Sequence, residues 1–203
     1  MKLTWLGHAC FKLESNDGVI IFDPFKDNSV PGLKEIRENA DLVLCSHDHD
    51  DHHGLECVMQ TGNKTSFVIH TLDSFHDDQE GALRGKNIIH IVETEGMKIV
   101  HLGDIGCDFD TSSINNCDVL LIPIGGYYTI DTNMVLKLID KIQPRIIIPM
   151  HYKGESFGYP VLSTIDEFLK QSFNVVSYDS NSILIDSSTP QQTAVLNLDS
   201  RII

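Results

Sequence analysis

Leu42-Val43-Leu44-Cys45-Ser46-His47-Asp48-His49-Asp50-Asp51-His52-His53-Gly54 is the stretch from which the fold is read. Its first four residues form an apolar run of the length of a buried strand. Residues 47–53 are histidine and aspartate throughout. Imidazole and carboxylate are good ligands for zinc, manganese or iron. His47, His49, Asp51 and His52 fall within six residues, and neither a helix face nor a strand face presents all four together. A tight loop after a strand can bring them to one point. The stretch therefore predicts a metal-binding loop mounted on a strand end. A polar surface loop that happens to be rich in His and Asp is the plain alternative, and the placement straight after a buried run weighs against it.

Upstream, Lys2–Leu6 and Ala9–Glu14 read as strands, and Ser15-Asn16-Asp17-Gly18 is a hairpin turn. Val19–Phe22 is an apolar strand that Asp23-Pro24 must end, which leaves Asp23 at its tip. Pro31–Asn39 and Gly54–Gln60 are expected as short helices. Downstream, strands are predicted at Ser66–Thr71, Asn87–Glu93, Lys98–Leu102, Val119–Ile122, Ile146–Ile148, Val175–Tyr178 and Ile183–Ile185. Met134, Val135, Leu138, Ile139 and Ile142 have helical spacing over 131–142, with Asp131 as N-cap. Ser163–Gln171 reads as a further helix capped by Ser163, and the polar tail from Ser187 is expected to fray. Strands first, then strands alternating with helices, suits two sheets with helices outside them.

The 203 residues fit one domain, expected to span 1–203, with a core large enough to need no disulfide. Five cysteines, an odd count without a CxxC pair, argue against a disulfide framework and a cysteine zinc ribbon and predict a reduced, cytoplasmic setting. Met1-Lys2-Leu3-Thr4-Trp5-Leu6-Gly7 has no apolar leader, and no apolar run reaches membrane-spanning length. A formal net charge of −14 repels phosphate backbones and anionic lipids, so nucleic acid and membrane are not expected partners. A small-molecule substrate is, while oligomeric state is not legible.

Further motifs follow the histidine run in order: Ser74-Phe75-His76-Asp77, His101-Leu102-Gly103-Asp104 and Pro149-Met150-His151-Tyr152. With Asp23 and His47-x-His49-x-Asp51-His52, the chain resembles the metallo-β-lactamase superfamily along nearly its whole length. Trp5-Leu6-Gly7-His8, Arg84-Gly85-Lys86-Asn87 and Gly125-Gly126-Tyr127-Tyr128-Thr129-Ile130 resemble its small, largely uncharacterised metal-dependent hydrolases. Those lie in the branch of the ascorbate-6-phosphate lactonase and the N-acyl phosphatidylethanolamine phospholipase D. The resemblance implies a four-layer αββα sandwich of the α/β (α+β) class, with two mixed β-sheets packed face to face and helices outside. It also implies two divalent ions, foremost Zn2+, with Mn2+ or Fe2+ suited too. His47, His49 and His76 would hold one, Asp51, His52 and His151 the other, and Asp104 would bridge them, with Asp51 and Asp104 as catalytic carboxylates. Water between two such ions is hydroxide near neutral pH and attacks an ester, lactone or phosphoryl centre. A nuclease of the same superfamily and a non-catalytic metal-binding or sensory module are the alternatives.

Around that set, Asp23 is expected to orient a ligand histidine. His101 supports the site or packs in the core, and His8 either points into the cleft or packs. His70 and His90 lie within strands and are expected to be packed, while His53 is expected to be solvated. Arg84 is a candidate clamp for a substrate anion, with a surface turn as the alternative. Tyr127, Tyr128 and Lys153 are further candidates for substrate contact.

Overall fold

The computed structural model describes residues 1–203. The apolar and alternating runs of the first quarter become β1 (Lys2–Gly7), β2 (Cys10–Ser15) and β3 (Gly18–Phe22). Next come β4 (Glu38–Ala40), β5 (Leu42–Leu44), a 3-10 turn at Leu55–Cys57 and β6 (Val58–Gln60). The long strands β7 (Val68–Phe75) and β8 (Lys86–Thr94) lead into β9 (Met97–His101) and β10 (Val119–Pro123). Helix α1 (Thr132–Ile142) crosses to β11 (Ile146–Met150), followed by the single-turn α2 (Asp166–Leu169), β12 (Val175–Ser177), β13 (Ser182–Leu184) and β14 (Gln192–Val195).

These strands form two mixed sheets, ordered β13-β1-β2-β3-β5 and β12-β14-β11-β10-β9-β8-β7, plus the small pair β4-β6. Their inner faces share one core. Phe22 of the first sheet stacks on His101 of the second at 5.2 Å between ring centres, and Trp5, Phe11, Ile89 and Ile99 are buried with them. Helix α1 begins where Asp131 accepts the Met134 amide at 2.9 Å, and it buries Val135, Leu138, Ile139 and Ile142. It is the only helix longer than one turn, so the helical layers of the sandwich are thin.

Strand direction explains where the site sits. β3 runs parallel to β5, and β1, two antiparallel steps from β3, points the same way. In the second sheet β9, β10 and β11 are parallel, and β7 shares their direction through β8. The chain leaves β1, β3 and β5 at His8, Asp23 and Ser46-His47. It leaves β7, β9 and β11 at His76, Asp104 and His151. In open α/β sheets, ligands gather beyond such C-terminal strand ends.

Four expectations are corrected. Pro31–Asn39 is not a helix, although Leu33 and Ile36 are buried three apart. Its backbone bonds go to the C-terminus: Leu33 bridges Ile202, and the Lys34 amide donates to the Arg201 carbonyl. The tail does not fray as expected, because Gln192–Val195 lies between β11 and β12 with Thr193 and Ala194 fully buried. Gly54–Gln60 yields only the 3-10 turn and β6. Ser163 caps no helix, because α2 begins only at Asp166 with Ile165 at its N-cap position, and α2 is one turn long.

Candidate metal centre

Asp23, His8 and His151 all have left-handed backbones, with φ of 42°, 53° and 54°. Such conformations cost non-glycine residues about 1–3 kcal/mol each and cluster at functional sites. At Asp23 the turn ahead of Pro24 directs a fully buried carboxylate at the histidine loop. It accepts the Ser46 amide and hydroxyl, each at 2.6 Å, and His52 Nδ1–H at 2.8 Å. The Ser46 oxygen in turn lies 2.9 Å from His47 Nδ1, which donates to it. Both rings therefore carry their proton on Nδ1 and turn an Nε2 lone pair into the cluster.

Asp104 stands at the centre. Its Oδ2 lies 3.2 Å from Nε2 of His52, 3.2 Å from Nε2 of His76 and 3.0 Å from Nε2 of His151. The backbone before it is tightly set. Gly103 has φ +57°, and a Cβ there would meet Asn87 Oδ1 at 2.3 Å and Ser46 Cβ at 2.5 Å. The Asp104 amide donates to Asn87 Oδ1 at 2.9 Å, and the Gly103 amide donates to His101 Nδ1 at 3.1 Å. His101 Nε2 donates to the Ala9 carbonyl at 2.8 Å. Both of its nitrogens are thus occupied, and it braces the Asp104 loop.

The ligand atoms of His47, His49 and His76 lie within 4.8 Å of one another, as do those of His8, Asp51, His52 and His151. Whether a cation suits this arrangement is decided by its unpaired atoms. Nε2 of His47, His52 and His151 and Oδ1 of Asp104 are buried without a hydrogen-bond partner. Each such orphan costs about 1–3 kcal/mol when nothing satisfies it. All are lone-pair donors that a divalent cation would satisfy at once. The electrostatics agree. Burial, then the neighbouring His52, lowers His47 to about 3, and burial with His151 lowers His8 to about 4, so both rings are neutral at pH 7. Burial opposes a charge on His52, yet Asp104 and Asp23 on either side raise its pKa, so without an ion these carboxylates favour a second proton on Nε2, which a bound cation would displace. Burial likewise opposes ionisation of Asp104, and His151 and His52 nonetheless hold it well below the carboxylate range. The cluster is built to hold positive charge.

The structure brings the seven expected ligands together, with His49 exposed at the mouth and His52, His76, Asp104 and His151 buried. His8 also enters, its Nε2 3.1 Å from Asp51 Oδ2 and its ring 3.9 Å from that of His151. Beside the cluster is a cavity of about 290 Å3 bordered by His49, Asp51, Arg84, Tyr128 and Tyr159. Two substrate candidates lie elsewhere. Lys153 borders a separate cavity with Trp5 and Phe157, its ammonium donating to the Pro160 carbonyl. Tyr127 turns outward and is 58% exposed. His90 is buried as expected, 3.0 Å from the Cys45 carbonyl, whereas His70 is exposed on the edge strand β7, where no second neighbour covers it. Ser46, Asn87 and Tyr159 went unread. Ser46 directly precedes the histidine run and Asn87 closes Arg84-Gly85-Lys86-Asn87, but neither type signals a role without its partner. Nothing near Tyr159 in sequence points to the cavity.

The β-lactamase superfamily domain model matches residues 2–151. The chain belongs to the metallo-β-lactamase superfamily, as a metal-dependent hydrolase. It is 30% identical to a UPF0173 metal-dependent hydrolase of Archaeoglobus fulgidus, over 75% of this chain and 83% of that one. With the UPF0173 metal-dependent hydrolase of Methanocaldococcus jannaschii it shares 28% identity over 84% and 91% of the two chains. A Thermotoga maritima crystal structure, assigned to the Zn-dependent hydrolases of the superfamily, superposes with a TM-score of 0.74 at 31% identity. The match covers 96% of this chain and 97% of that one. No helix is long and apolar enough to cross a membrane.

Proposed function

We propose that the chain is a dinuclear hydrolase of small esters, lactones or phosphate-containing metabolites. The observation that carries this reading is Asp104 Oδ2, within 3.0–3.2 Å of three histidine nitrogens that arrive on three separate loops. A carboxylate so placed could be shared between two ions. His47, His49 and His76 would hold one, and Asp51, His52 and His151 the other. Zinc suits the imidazole and carboxylate set, as do manganese and iron. Such ions, when bound, supply Lewis acidity and acidify water to near neutral pH.

The chain's own residues do the rest. Asp23 keeps the proton on His52 Nδ1 and, through Ser46, on His47 Nδ1, so that both Nε2 atoms stay free to coordinate. His8 Nε2–H holds Asp51 Oδ2 and limits how that carboxylate turns. Tyr159 and Tyr128 wall the cavity, and Tyr159 is fixed by its hydroxyl donating to the Ser29 carbonyl at 2.7 Å. Metal analysis of protein purified without chelator is expected to find about two ions per chain, with turnover restored to stripped protein in step with the second equivalent. One ion per chain at full activity would refute the dinuclear reading.

A further inference from the structure

A second lobe of about 490 Å3 opens beside the cluster and shares His76, Arg84 and Tyr128 with the cavity already described. Arg84 is half-buried in the wall between them, its guanidinium carbon 5.7 Å from the centre of the Tyr128 ring. No carboxylate pairs with it, which is unexpected in a chain of net charge −14. Three of the four acids of this lobe are already engaged, and the fourth, Asp78, is exposed to solvent. Asp77 Oδ1 accepts the amides of Gln79 and Gly81, and Oδ2 accepts those of Leu83 and Arg84. Asp108 is paired with Lys141, and Asp131 caps α1. Asp77 thus fixes the loop that carries Arg84 while leaving the guanidinium free. A second observation is independent of the first. Thr129 borders the same lobe, is 93% buried, and its hydroxyl has no hydrogen-bond partner.

A planar cation with five N–H donors that no carboxylate neutralises, and a buried hydroxyl without a partner on a residue of the same wall, can together receive an oxyanion. We infer that Arg84 and Thr129 bind a carboxylate or phosphate group on the substrate, remote from the bond that is cleaved at the metal centre. The inference rests on the hydrolase reading and narrows it: the natural substrate is an anionic ester or lactone whose charge seats beside Tyr128. The metal centre would supply the chemistry, and Arg84 the selection among substrates.

The test uses metal-loaded protein and matched aryl esters that differ only in a distal group: methyl, carboxylate or phosphate. An anion held by charge-assisted bonds raises kcat/KM about ten- to a hundredfold over its neutral partner. Arg84→Met is expected to bring that ratio close to one, Thr129→Val to lower it in part, and the bound-ion content of both variants to match the parent. The carboxylate and phosphate arms tell which anion is preferred. Calorimetric binding of succinate and inorganic phosphate is measured on the same proteins. A ratio near one in the parent, or a ratio and an anion affinity both unchanged by Arg84→Met, overturns the subsite. Failure to cleave any ester while Arg84→Met abolishes anion binding would instead sink the proposed ester and lactone activity and leave the subsite standing.

Discussion

The two sheets meet the metal centre in different ways. On the first sheet's side, Asp23, Ser46 and His52 are buried in a closed chain of hydrogen bonds of 2.6–2.8 Å. On the second, His76 and His151 have Nδ1 atoms buried without a partner, and only Asp104 is braced, by Asn87 and the His101 loop. His76 also faces both cavities, beside Arg84. One side fixes the direction of its lone pairs before any ion arrives, while the other leaves two rings to settle against what binds. Preorganisation lies at the buried Asp23 end of the cluster, and adaptability at the end that faces Arg84.

The largest effect is expected where the two sides meet. Asp104→Ala removes the one carboxylate within reach of His52, His76 and His151, and should cost one ion and more than about a thousandfold in turnover. Metal analysis and steady-state rates check both, and full activity with two ions would end the shared-ligand role. Breaking the rigid side alone should cost less. Asp23→Ala frees the His52 and His47 rings to rotate and exchange tautomers, so metal affinity should fall about ten- to a hundredfold. Competition with a chelator measures it. An unchanged affinity would mean that packing, and not the Asp23 network, orients these rings.

That contrast also marks how far the sequence could be read. The run from His47 to His52 is legible from its residues, and the family resemblance singles out His76, Asp104 and His151, all of which the structure places at one cluster. Legible too were α1 and most strands, from hydrophobic period alone. Residues whose role depends on a distant partner were not. Leu33 and Ile36 mimic a helix because both are buried, yet their segment pairs with residues 201–203. Gln192–Val195 looks solvated by composition and becomes an interior strand, since β11 and β12 satisfy its backbone. Lys153 follows a ligand histidine in sequence, and the turn after His151 carries it to another cavity. Thr129 gains meaning only from the lobe that it borders.

His8, at the C-terminal end of β1, belongs to the first sheet's side as well. It holds Asp51 through a single contact and is itself packed against His151 and Tyr159. His8→Ala should weaken metal binding about tenfold or less, below the effect at Asp23, because Asp51 keeps its place in the loop. A chelator titration that ranks the two variants in the opposite order would move the preorganising role from Asp23 to His8.

The smallest effect belongs to the adaptable side and depends on pH. Burial raises the pKa of Asp77, but four amides, beginning with that of Arg84, outweigh it and bring the carboxyl from 3.8 down to about 2. A depressed folded-state pKa means that the unfolded chain takes up the proton first. The stabilisation is therefore complete above about pH 4 and is lost as pH falls through the window from 3.8 toward 2. Asp77→Asn has one acceptor oxygen in place of two and should loosen residues 78–85, leaving the Asp23 side untouched. Its stability deficit against the parent should shrink as the pH is lowered through that window. Near neutral pH, faster hydrogen exchange should be confined to the amides of Gln79, Gly81, Leu83 and Arg84. Exchange that spread equally to Ser46 and His52 would show that the two sides are one rigid unit, and the distinction between them would fall.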